Sequence, residues 1–129
     1  MNKEKIAQNK MSDNALGFLF HITINEGKEA EFREIVPRIA AKCAEEPGAL
    51  DYTWCFNDRN VIVREAFVNA EAFKFHGQNT AELSAEIGAV AKVTGVTATG
   101  PAEELDKLKE RLDPLGAVYY VREAGFRRG

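Results

Sequence analysis

Few side chains in this 129-residue sequence are equipped for bond-making chemistry. The histidines are His21 and His76, the cysteines Cys43 and Cys55, and the serines Ser12 and Ser84. His76 stands just before Gly77 in FKFHGQN. An imidazole with its ordinary pKa of about 6.5 is the natural general base near neutral pH. A helix-end hydrogen-bonding role would use the same residue without chemistry. Glu65 lies in the apolar run VIVREAF. A carboxylate there must find a partner or give up its charge, so it reads either as a structural pair or as a proton-transfer group. Two histidines in one chain exclude a multi-histidine metal site, and no metal is expected. Neither cysteine sits in a CxxC or CxxH pattern, which favours small buried thiols over a disulfide or metal pair. The sequence holds no GxGxxG, no GxxxxGK[ST] and no GxSxG, so nucleotide cradles and serine-hydrolase elbows are not expected.

The elements that must position these residues are legible from periodicity. Gly17–Ile24 (GFLFHITI) is β-branched and aromatic and reads as a strand. From Lys28 to Glu45 the apolar positions Phe32, Ile35, Val36, Ile39, Ala40 and Cys43 recur every three or four residues, predicting a helix. Pro37 should kink or split it. Ala49–Phe56 and Asn60–Phe67 read as strands joined by a tight turn at Asn57-Asp58-Arg59. A short helix follows over Ala70–His76, capped by Asn69 and broken at Gly77. Asn79 and Glu82 then resemble a capping box that opens another helix to about Ala91. Lys92–Thr99 reads as a strand, Pro101 starts a further helix with Leu105, Leu108 and Leu112 on its apolar side, and Ala117–Arg122 is a final strand. The order β-α-β-β-α-β predicts the α+β class: a ferredoxin-like split β-α-β antiparallel sheet with helices on one face, extended by a C-terminal helix and strand.

Strand alternation sorts the side chains into faces. Phe18, Phe20, Ile22 and Ile24 share one side, as do Leu50, Tyr52, Trp54 and Phe56, and Val61, Val63, Glu65 and Phe67. These bulkier sets are placed toward the helices. They either fill the core or wall a pocket for a flat apolar ligand. The opposite set, including Leu19, Cys55, Ile62 and Ala66, is itself partly apolar, which predicts a second sheet against it and hence a homodimer. His21 and Arg64 fall on that second side.

Taken together, four pieces of the sequence resemble the antibiotic biosynthesis monooxygenase family. They are Gly27-Lys28 leading into an acidic amphipathic helix, Glu46-Pro47-Gly48-Ala49, Glu65-Ala66-Phe67, and Glu71-Ala72-Phe73 leading to His76. The resemblance covers roughly residues 17–100. It implies a dimeric α+β barrel and, in several members, oxidation of quinol-like or polycyclic phenols by O2 without metal or flavin. Phe67 stands where the family often carries a tryptophan, and Phe20 where the haem-degrading branch uses asparagine, which argues against haem cleavage.

The expected function is therefore a cofactor-independent monooxygenase for a small aromatic or quinol-type substrate. The alternative is a non-catalytic binding or sensing domain using the same pocket. His76 and Glu65 are the candidate catalytic residues; Phe20, Tyr52, Trp54, Phe67 and Phe73 are the candidate substrate contacts. The net charge of -3 without a basic stripe argues against nucleic acid. The apolar runs are too short to span a membrane, and the polar start MNKEKIAQNK lacks a secretion-type apolar stretch, predicting a cytoplasmic protein. Residues 1–14 are expected to form a loose tail ahead of one domain over 15–129, with its core at 17–100 and an extension at 101–129.

Overall fold

The computed structural model describes residues 13–127. The elements run β1 (Leu16–Ile24), α1 (Glu29–Ala44), β2 (Ala49–Asn57), β3 (Asn60–Phe67), α2 (Ala70–Asn79), α3 (Ala81–Val90), β4 (Ala91–Gly100), α4 (Ala102–Asp106), α5 (Lys109–Leu112), a 3-10 turn (Asp113–Leu115) and β5 (Val118–Val121). The sheet order is β2-β3-β1-β4-β5. The first four strands are antiparallel neighbours, and β5 joins β4 in parallel. This is the split β-α-β arrangement with one strand added at its edge. The sheet of the single chain is open and does not close into a barrel. No helix among the described residues is long and apolar enough to cross a membrane. The tail expected over 1–14 lies outside the described residues except at Asp13 and Asn14, and Asp13 is held by Arg122 at 3.0 Å.

Local chemistry departs from the sequence expectations at four points. Helix α1 is not split, because Pro37 stands on its exposed side, where water can serve the carbonyl left without a donor. Gly77 does not break its helix either; α2 runs on to Asn79, and Thr80 makes the joint with α3. Asn79 is consequently not a cap: its side chain turns back toward Glu46. The helix predicted from Pro101 is two short ones, α4 and α5, separated at Lys107 and Leu108. Finally, the β2–β3 register slips between Ala49 and Asp51, so Leu50 is exposed rather than facing the helices.

The inward sets otherwise fall as alternation requires. Val61, Val63, Glu65 and Phe67 are all buried, as are Phe18, Ile22 and Ile24. The extension packs on its own subunit. Leu105, Leu108 and Leu112 join Phe18, Phe67 and Cys43 in one apolar cluster. Glu104 also reaches across to accept the Ala70 backbone N–H at 2.9 Å, capping α2 from outside. Asn69 caps the same helix by accepting from Ala72.

The link from α1 to β2 presses against α2 at Gly48. A methyl placed there would sit 2.6 Å from Ala72 Cβ and 3.4 Å from Val68 Cγ2. Neither neighbour is the end of a flexible chain, so Gly48→Ala must push the link off the helix. It should lower stability by about 1–3 kcal/mol in a denaturant titration.

Candidate functional site

Three elements bring their polar side chains to one place inside this apolar layer. Glu65 comes from the centre of β3, where Phe18 on β1 and Tyr52 on β2 are its cross-strand neighbours. His76 comes from α2, and Glu46 from the link after α1. Their residue exposures are 7%, 6% and 6%. His76 Nδ1 lies 3.1 and 2.9 Å from the two oxygens of Glu46. With carboxylate oxygens on that side, Nδ1 is assigned the hydrogen and donates it. Asn79 Nδ2 donates to the same carboxylate at 2.9 Å. Thr80 Oγ1 donates to the His76 carbonyl at 2.8 Å and fixes the helix end. The imidazole is thus locked with Nε2 free, and Nε2 stands 3.9 Å from Glu65 Oε1.

That separation is too long for a hydrogen bond. Glu65 Oε1 and the Trp54 indole N–H are the buried side-chain polar atoms left without a partner among the described residues. Both residues line one cavity of about 400 Å³ between sheet and helices, together with Phe20, Tyr52, Phe73 and His76. Two orphaned polar atoms on the wall of one hollow are what a ligand with a polar group would satisfy. Burial, and secondarily the charge of Glu46, pushes the Glu65 carboxyl up to about 8. It is therefore mostly a neutral acid at pH 7, able to donate a hydrogen bond. Burial likewise raises the Tyr52 hydroxyl far above its usual range, so it stays protonated.

The candidate contacts divide by position. Phe20, Tyr52, Trp54 and Phe73 line the cavity with His76 and Glu65. Phe67 does not line it. It is fully buried behind the histidine, with ring centroids 4.9 Å apart, and backs the imidazole. Glu46 and Asn79 are site residues that the sequence reading does not single out. Glu46 continues the apolar stripe of α1 three residues beyond Cys43, and a carboxylate on such a stripe is the signal that points to it. His21 and Arg64 lie away from this cavity, Arg64 paired with Asp51 at 2.7 Å.

Cys43, Glu46 and His76 also place one ligand-type atom each within 4.8 Å of the others, all buried. Two of the three groups are already engaged within the fold: His76 Nδ1 donates to Glu46, and Asn79 donates to the same carboxylate.

Residues 16–85 match the antibiotic biosynthesis monooxygenase family. The chain belongs to that family. Among solved structures, it is similar to MupZ from Pseudomonas fluorescens, with a TM-score of 0.83 and 28% identity over 90% of this chain and 91% of that one. A candidate antibiotic biosynthesis monooxygenase from Caulobacter crescentus aligns at TM-score 0.59 and 23% identity, covering 67% of this chain and 88% of its own. SnoaB, a cofactor-independent oxygenase from Streptomyces nogalater, aligns at 0.59 and 19% identity over 66% of this chain and 90% of its own. The latter two share the fold of the core. No curated protein matches the sequence. The segment after Pro101 makes up more than a fifth of the chain, so the 90% alignment with MupZ has to include much of it. The family match itself stops at residue 85.

The raised Glu65 pKa has a stability consequence with a definite sign. Between pH 4.5 and about 8 the folded chain keeps a proton that the unfolded chain has released, so stability falls as pH rises through that window. Glu65→Gln, neutral throughout, should flatten this slope. Thermal melts from about pH 5 to about pH 9 should show wild type losing stability relative to the variant, by on the order of a few kcal/mol.

Proposed function

We propose that this protein is a cofactor-independent monooxygenase that oxidises a small aromatic or quinol-type substrate with O2. The observation that carries the reading is the gap between His76 Nε2 and the unpartnered Glu65 Oε1 on the cavity wall. A substrate hydroxyl placed in that gap meets a base on one side and a neutral acid on the other. His76, oriented by Glu46, takes the proton. Protonated Glu65 and the Trp54 N–H donate hydrogen bonds to the oxyanion that forms. The aromatic walls keep water away from the anion.

The electron balance closes without an outside reductant. The substrate anion gives one electron to O2, and the resulting carbon radical and superoxide combine. The peroxide takes a proton and loses water. For a ring methylene the sum is one methylene and one O2 giving one ketone and one water, all four electrons coming from the substrate. The proton held by His76 is returned in the second half of this sequence, so the site ends as it began.

The uncovered sheet face supports a homodimer. It carries Ile62, 38% exposed, beside His21 and Cys55 around a shallow depression. A second copy laid face to face would cover it and complete the two-sheet arrangement.

Oxygen uptake with a panel of hydroquinones and anthrones tests the activity, run with and without chelator. Turnover should resist chelator, and His76→Ala should lower it by about 10²–10⁴-fold. Full turnover in His76→Ala would remove the proposed base. Ile62→Asp should shift the sedimentation equilibrium mass from that of two chains to that of one.

A further inference from the structure

The cavity wall carries two kinds of polar group. His76 and Glu65 line it from inside the fold, and two exposed cations, Lys92 at the start of β4 and Arg111 of α5, line it as well. Most other lysines and arginines among the described residues are engaged within the fold. Arg38 is held by Glu34 and Glu86, Arg64 by Asp51, Lys107 by Glu104 and Lys109 by Asp106. Arg33 lies over the Phe56 ring, and Arg59 donates to the Ile24 carbonyl. Among the described lysines and arginines, Lys42, Lys92 and Arg111 are the ones left without a carboxylate, carbonyl or aromatic partner. Two of those three border one cavity, in a chain whose net charge is -3.

We propose that Lys92 and Arg111 select a substrate whose apolar body ends in a carboxylate. This inference rests on the reading of the cavity as the substrate site and deepens it. The body would lie along Phe20, Phe73 and Leu112, with its reacting hydroxyl at His76 and its anionic end at the mouth. Arg111 offers a planar fork that a carboxylate can engage through two parallel hydrogen bonds, and Lys92 adds a point charge. The cost of holding the anion is small, because both cations stay hydrated until it arrives. Arg111, Leu112 and Leu115 all belong to the segment beyond the family match, and all three border the cavity. Substrate choice is then set by groups beyond residue 85, while the reacting pair sits within the family match.

Trp54 is the single tryptophan of the chain and lines the cavity, so its fluorescence reports occupancy. Full-length protein would be titrated with 5-phenylpentanoate and with 5-phenylpentanamide, at low and at high salt. The carboxylate should bind roughly five- to tenfold tighter than the amide at low salt, and the preference should shrink as salt rises. In the doubly substituted Lys92→Gln, Arg111→Gln protein the two should bind alike, with amide affinity unchanged. Equal binding to the wild type, or a preference that survives the double substitution, would overturn the anion site alone. No fluorescence change with either compound would overturn it together with the cavity as the substrate site.

Discussion

A carboxyl group on the apolar side of a sheet has to be accounted for before anything else in this molecule. Glu65 cannot be ionised cheaply where β3 puts it, between Phe18 and Tyr52. The fold gives it no direct partner. Instead it places a second carboxylate, Glu46, on the far side of an imidazole, and that charge discourages ionisation of Glu65 further. One acid is thereby kept neutral and the other serves as an anchor for His76. The two carboxyl groups have different tasks because their surroundings differ, and the imidazole between them is the element both surroundings act on.

Holding that trio in register constrains much of the rest. The β1–β3–β2 pairing fixes the depth of Glu65, and the alternation of β3 fixes its side. Glu46 is delivered by a link that lies tight on α2, and His76 by α2 itself. Phe67, immediately behind the ring, supplies stiffness rather than contact with the hollow. The apolar cluster that joins Phe67 and Cys43 to the extension leucines completes the support. The antibiotic biosynthesis monooxygenase family thus lends the frame, and a handful of polar contacts gives this chain its particular site.

The strands and the amphipathic helix are legible in the sequence because period and turn chemistry are local. Asp58, with φ of 53°, sits in the tight turn that the sequence marks between β2 and β3. The parity of Phe20, Tyr52, Trp54 and Glu65 follows from alternation alone, whereas Leu50 escapes it because a bulge cannot be read from pattern. Gly77 and Pro37 mislead for a common reason. Each disfavours a helix in isolation, but an exposed position with room around it tolerates either. The Glu46–His76 contact joins residues far apart in the chain, and no periodicity encodes such a pairing. Asn79 illustrates the same limit: its local environment suggests a cap, and its actual partner is that distant carboxylate.

Glu104 ties two parts of the molecule that would otherwise vary independently. It belongs to the added segment, yet it holds the first turn of the helix on which the imidazole rides. Lys107, three residues on, holds its other oxygen. Remodelling the outer wall to admit a different molecule would tug on this pin and tilt the ring within. Changes beyond Lys107, where Arg111 and Leu115 border the cavity, leave that fastening untouched.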